Sequence, residues 1–202
     1  MCQVIETIKT KNYVAEIIND EDCYNPREWN DNFGTLIAFH YRYNLSDKDN
    51  WDIEELKDHV KRKDVLALPV YMYEHSGISL STSAFSCKWD SGQIGYIFVS
   101  YEDIIKEYGK LDIERATKVL EYEVEEYSQY LNGECYGYII YEKDKDSQDH
   151  LESCFGFIGR DYVEEEAKYI LKDLEQSATW MFNQRWKTIF KGEKWWRMNI
   201  TM

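Results

Sequence analysis

Apolar and polar positions follow two rhythms along this chain, and the switches between them predict its elements. Residues 2–18 hold two short apolar runs, CQVIETI and NYVAEII, parted by the polar KTK, the pattern of an opening hairpin. Asn19 to Asn32 is acidic, rich in Asn and interrupted by Pro26, which predicts a long loop. Thr35 to His40 (TLIAFH) is β-branched and apolar, as buried strands are, and Asp52 is placed to cap a short helix reaching about Lys63. Val65 to Tyr73 predicts a further strand, in which Pro69 has no N–H to give a ladder and so implies an edge or a bulge. The next segment alternates at Ile78 and Leu80, as a second strand of the same sheet would. Asp90, Ser91 and Gly92 then form a turn into a buried strand from Ile94 to Ser100.

Helical spacing dominates the second half. Ser100 and Asp103 stand at capping-box spacing, with Asp in place of the usual Glu or Gln, and Gly109 ends the short helix they open. Ala116, Val119, Leu120, Val124, Tyr127 and Leu131 trace one face of a helix from Leu111 to Leu131, stopped by Asn132-Gly133. Cys135 to Tyr141 and Leu151 to Ile158 predict a hairpin closed by the charged KDKDSQD turn. Val163, Ala167, Ile170, Leu171, Leu174, Ala178, Met181 and Phe182 then form the stripe of a long helix from near Asp161 to as far as Phe190. This mixed order predicts an α+β fold, a mostly antiparallel sheet with helices packed on one face, rather than a doubly wound array. With two prolines, no linker-length Gly/Ser/Pro run and no internal repeat, residues 1–202 are expected to form a single domain.

Composition narrows the classes. A chain of 202 residues with 44% hydrophobic and 16% aromatic content can build a real core, so wholesale disorder is excluded. Its 38 Asp and Glu outweigh 24 Lys and Arg, and the formal charge of -14 opposes diffuse binding to DNA or anionic lipid. No run approaches the length of a membrane helix and the first residues lack the apolar core of a secretory signal, so the expected location is cytoplasmic. Five scattered cysteines, without a C-x-x-C pair, indicate neither a disulfide framework nor a zinc ribbon. The basic, Trp-rich segment at about 183–202 breaks the charge pattern. Residues 180–202 carry five Lys or Arg against one Glu, a balance of +4 that leaves -18 on the rest, so this segment either folds back on the acidic body or grips a partner.

The glycines complete neither a phosphate-binding loop nor a dinucleotide fingerprint, and no cofactor is implied. The acidic runs Asp47 to Asp52 and Asp144 to Asp149 lack the glycine and glutamate of a calcium loop and read as solvated turns, so no metal site is expected. Tyr71 to Gln93 is dense in polar chemistry. A catalytic group assembled from His40, His75, Cys87, Asp90 and Gln93 is one reading, and a set of side chains satisfying backbone groups at a sheet edge is the plainer one. Aromatic and cationic residues interleave at Tyr41-Arg42-Tyr43 and Lys194-Trp195-Trp196-Arg197, a pattern suited to stacking, cation–π contact or an interface. The carboxylates carry the more function-shaped signal. Glu114, Glu121 and Glu125 fall away from the apolar stripe of their helix as a ridge, and Glu164 and Glu165 add a second acidic run. Such fields suit either simple solvation or steering toward a basic partner.

Pro26-Arg27-Glu28-Trp29, Asp31-Asn32, Gly34-Thr35, His40 to Asp47 (HYRYNLSD) and the block Leu68 to Gln93 resemble a family of phage and mobile-element proteins of uncharacterised activity. The GECYGY and SCFGFIGRDY segments fit the same resemblance, which covers roughly two thirds of the chain. Asn30 departs from the pattern by separating PREW from DN. The resemblance implies a bacterial host cell and an acidic inhibitor of host defence, of anti-CRISPR or antirestriction type. The expected partner is then a nucleic-acid-processing protein with a basic groove, met by Glu114, Glu121, Glu125, Glu164 and Glu165 with Trp195 and Trp196 as anchors, without direct nucleic-acid binding or a membrane role. The alternatives are a small enzyme using the Tyr71–Gln93 region and a structural or assembly protein of a virion.

Overall fold

Half-buried strands sort into two antiparallel sheets of four strands each. The computed structural model describes residues 3–143 and 149–199, with side chains as far as Trp180. In chain order the elements are β1 (Val4–Lys9), β2 (Tyr13–Asn19), a 3-10 turn (Pro26–Glu28), β3 (Thr35–Ala38), α1 (Ile53–Val60), β4 (Val65–Glu74), β5 (Ile78–Ser81), β6 (Ser91–Ser100), α2 (Tyr101–Tyr108), α3 (Ile113–Leu131), β7 (Cys135–Glu142), β8 (His150–Ile158) and α4 (Arg160–Asn199). The fold class is α+β, as the element pattern predicts. Although no linker marks a division in the sequence, the backbone forms two compact units. One runs up to Asp20 and resumes at Tyr136, and the other is Glu21–Cys135, inserted between β2 and β7.

The outer unit holds the sheet β1-β2-β7-β8. Alternate residues Ala15 and Ile17 of β2 and Tyr138 and Ile140 of β7 turn to one face, where Val163, Ala167 and Leu171 of α4 cover them. The i, i+4, i+8 spacing of those three places them on one side of the helix. The backbone of α4 continues to Asn199, past the Phe190 limit expected from its apolar stripe. A polar staple fixes the helix against the first hairpin. Glu175 accepts hydrogen bonds from Asn12 N (2.6 Å), Asn12 Nδ2 (2.8 Å) and Thr10 Oγ1 (2.7 Å).

In the inserted unit the sheet order is β3-β6-β4-β5. Ala116, Leu120, Val124 and Tyr127 of α3 bury one face against Leu36, Val70 and Ile97, while residues of opposite parity, Ile37, Val65 and Phe98, meet Leu56 of α1. Helices therefore cover both faces of this sheet, which explains why IGYIFVS reads as a continuous apolar run. Pro69 is accommodated as its chemistry requires. Strand β5 pairs only with Tyr71 to Glu74, so Pro69 has a single neighbouring strand, and a bulge follows between Val70 and Tyr71.

Local capping is as the sequence suggests. Asp52 accepts from Glu55 N at 2.8 Å, Ser100 accepts from Asp103 N at 3.0 Å, and Gly109 ends α2 at φ +73°. Two boundaries differ. Strand β3 ends at Ala38, whose N–H and carbonyl both bond Ser46 Oγ on the outer edge; a last backbone bond runs from Phe39 N to the Ile94 carbonyl at 2.8 Å, and His40 lies beyond it in a loop. The expected turn residues Ser91 and Gly92 instead extend β6, in register with Tyr73 and Met72. The body of the KDKDSQD turn, residues 144–148, lies outside the described residues.

Hydrogen bonds from Asn12 N and Thr10 hold the Glu175 carboxyl below its ordinary value of 4.5. A depressed folded-state value means that the carboxylate stabilises the outer unit fully above the ordinary glutamate range and loses that contribution as pH falls through the folded value. Thermal melting of Glu175→Gln should therefore lie below wild type at pH 7, with the gap closing under acid; a gap independent of pH would show that the charge is not what matters.

Candidate functional site

The inserted unit is organised around one buried guanidinium. Arg27 Nε and Nη2 form a two-pronged bond to Asp47 Oδ1 and Oδ2 at 2.9 and 2.6 Å. Its Nη1 reaches Glu123 Oε2 at 3.0 Å and Asn32 Oδ1 at 3.1 Å, and Nη2 also donates to the Gly34 carbonyl at 2.8 Å. The carboxylates are satisfied in turn: Glu123 accepts from Phe33 N at 2.6 Å and Gly34 N at 3.1 Å, and Asp47 from Leu36 N at 2.7 Å. Only 4% of the Arg27 side chain is exposed, against 9% for Glu123 and 14% for Asp47. Burial disfavours the Arg27 charge, but the bonds to Asp47 and Glu123 outweigh it and raise its pKa. Gly34 belongs here for steric reasons, since a Cβ at that position would stand 2.4 Å from Leu120 Cδ2 and 2.8 Å from Ile97 Cγ1. The PREW, DN, GT and HYRYNLSD segments thus meet in one place through Arg27, Asn32, Gly34 and Asp47.

This network fixes the inner side of α3, and the outer side presents the ridge expected from the sequence. Glu114, Glu121 and Glu125 are all exposed. Lys118 stands in the same row and binds Glu114 Oε1 at 2.7 Å, so the uncompensated charge of the ridge is concentrated at Glu121 and Glu125. Beside them Glu126 accepts from Tyr122 Oη at 3.4 Å, and partial burial raises its pKa. Glu164 and Glu165 belong to the outer unit. Glu164 lies between Lys168 (3.0 Å) and Arg160 (2.7 Å), which lower its pKa, whereas Glu165 is exposed. Trp195 and Trp196 fall on the backbone of α4, but their side chains lie outside the described residues.

The residues considered for catalysis divide into two groups. His75 Nδ1 and Cys87 Sγ both face Asp90 Oδ2, at 3.8 and 3.7 Å. The order is thiol, carboxylate, imidazole, and among the described residues no hydrogen bond joins thiol to imidazole, the link through which a nucleophile gives up its proton. Gln93 is spent on its own strand, donating to the Gly95 carbonyl at 3.2 Å. His40 lies in the loop after β3, its ring stacked on Tyr43 with centroids 5.2 Å apart and planes 9° from parallel. That loop borders a surface cleft of about 560 Å³, lined among others by Tyr41, Arg42, Tyr43, Lys48 and Trp51. The sequence signal for this cleft is the aromatic–cation interleaving at residues 41–43; Lys48 and Trp51 join it only through folding.

Among the described residues, no group of three or more His, Cys, Asp or Glu side chains is arranged to hold a metal ion, and no helix is long and apolar enough to cross a membrane. Comparison with known protein families, with curated proteins and with solved structures finds no match.

Arg27→Ala leaves two carboxylates in a buried site without their cation and should cost about 3–5 kcal/mol of unfolding free energy. Urea titration checks this, and a loss below about 1 kcal/mol would mean that the network is no stronger than a surface pair. Gly34→Ala forces a methyl into Leu120 and Ile97 and should cost about 1–3 kcal/mol by the same measurement.

Proposed function

We propose that this chain is an acidic, non-catalytic binding protein of phage type that blocks a nucleic-acid-processing defence complex of a bacterial host. The outer face of α3 is its contact surface. The observation that carries the reading is the joint presence of an anchored helix and outward charge: Glu123 is tied down on the inner side, while Glu121 and Glu125 stand exposed one turn apart on the outer side. Neighbours at i and i+4 have Cβ atoms about 5–6 Å apart, a scale on which a basic groove that normally follows a phosphate backbone finds successive negative charges. Because Glu123 holds the helix in place, little ordering is left to be done on binding, which favours affinity. The formal charge of -14 speeds encounter with a cationic surface and discourages binding to nucleic acid itself.

The reading is tested with the immobilised protein and bacterial lysate. A nucleic-acid-processing protein should be retained at low salt, released as salt rises, and displaced by duplex DNA competing for its groove. Glu121→Lys with Glu125→Lys should reduce retention at least about tenfold, since each exchange turns attraction into repulsion. Equal retention by wild type and the double variant would remove α3 as the contact face, and retention that DNA does not disturb would remove the mimicry.

A further inference from the structure

We infer that the cleft after β3 is a binding site for a free mononucleotide, with the base stacked among its aromatic rings and the phosphate held by Arg42, Lys48 and His40. The first support is charge. On a chain where carboxylates outnumber Lys and Arg 38 to 24, the lining of this cleft holds Arg42 and Lys48, together with His40, against Asp49, while Glu74 from outside the lining takes one edge of Arg42. Asp49 accepts from Asn44 Nδ2 at 3.2 Å through Oδ1, and among the described residues nothing donates to its other oxygen, which remains an acceptor for the amino edge of a base.

Stacking surface is the second support. The Arg42 guanidinium lies 5.4 Å from the Tyr41 ring centre and 5.3 Å from that of Tyr43, and His40 is stacked on Tyr43. Tyr41 is 83% exposed, an aromatic ring left uncovered beside Arg42, and Trp51 also lines the cleft. A planar base fits such a surface, at about 1–3 kcal/mol for each stacked contact.

Geometry prepares the donors. Arg42 is oriented by its ion pair with Glu74, which also accepts from Tyr43 Oη at 3.3 Å, and a guanidinium bound on one edge keeps donors on the other. His40 Nδ1 accepts from Arg42 N at 3.4 Å, so in the neutral ring the N–H is on Nε2, a donor available to an anion. The volume of about 560 Å³ lies within the range of small-ligand sites. A long polyanion would meet the net charge of the whole chain, whereas one nucleotide experiences mainly the local cations. None of these residues lies on α3, so the inference stands apart from the proposed partner face.

Isothermal titration of the full chain with AMP, GMP, CMP and UMP tests the site. At least one should bind saturably below about 1 mM, and Tyr41→Ala and Lys48→Ala should each raise its Kd about tenfold, a loss of one stacking or phosphate contact. Both side chains are exposed, and circular dichroism verifies that the variants are folded. Absence of saturation for all four nucleotides, or unchanged affinity in both variants, overturns the inference. So does inorganic phosphate or the bare nucleoside binding as tightly as the nucleotide, because each removes half of the recognition. Tighter binding of a short single-stranded oligonucleotide assigns the cleft to a polymer and overturns the commitment to a free ligand.

Discussion

A guanidinium out of water must have its charge answered and its donors filled, and the Arg27 site is the constraint to which the rest of the inserted unit conforms. Isolated, the group would be costly to bury; with Asp47 on two nitrogens, Glu123 and Asn32 on a third and the Gly34 carbonyl completing the set, it joins segments distant in sequence. Those segments are otherwise short of apolar side chains. The stretch from Glu21 to Asn32 buries little apolar surface beyond Pro26, and the bonds of Arg27 to Asp47 and to Glu123 of α3 anchor it. Glu123 is the hinge of this arrangement, since the same carboxylate that answers Arg27 also takes the N–H groups of Phe33 and Gly34.

That constraint links stability to the proposed contact surface. α3 carries apolar residues toward the sheet, one buried glutamate toward the network and a row of exposed charges toward solvent. The buried contacts decide which residues face outward, and they make the outer row a fixed array. Lys118 shows how charge counting along a helix overstates a field: it answers Glu114 and leaves the effective charge to Glu121 and Glu125. Glu164 makes the same point on α4, where two cations take up a carboxylate that looked like part of an acidic run.

The polar region from Tyr71 to Gln93 illustrates the difference between density and geometry. His75, Cys87 and Asp90 do come together, because β4 and β6 pair and bring Tyr73 opposite Ser91. Their order around the carboxylate suits a surface turn that satisfies its own polar groups. The cleft after β3 is the reverse case. The interleaved rings and cation at Tyr41, Arg42 and Tyr43 are visible in the sequence, but Lys48 and Trp51 reach the same opening only because the loop after β3 folds back, with Ser46 bonded to Ala38.

Most elements were legible in the sequence because periodicity and capping act within a few residues. The apolar face of α3, the Asp52 and Ser100 caps, the Gly109 stop and the bulge near Pro69 all rest on local chemistry. Tertiary structure alone decided which strands share a sheet, that helices cover both faces of β3-β6-β4-β5, and that the chain folds as two units with one inserted in the other. It also decided which charges are answered. Whether a carboxylate is an exposed group, half of an ion pair or a buried ligand of Arg27 depends on what a distant segment brings beside it, and no pattern of neighbours along the chain encodes that partner.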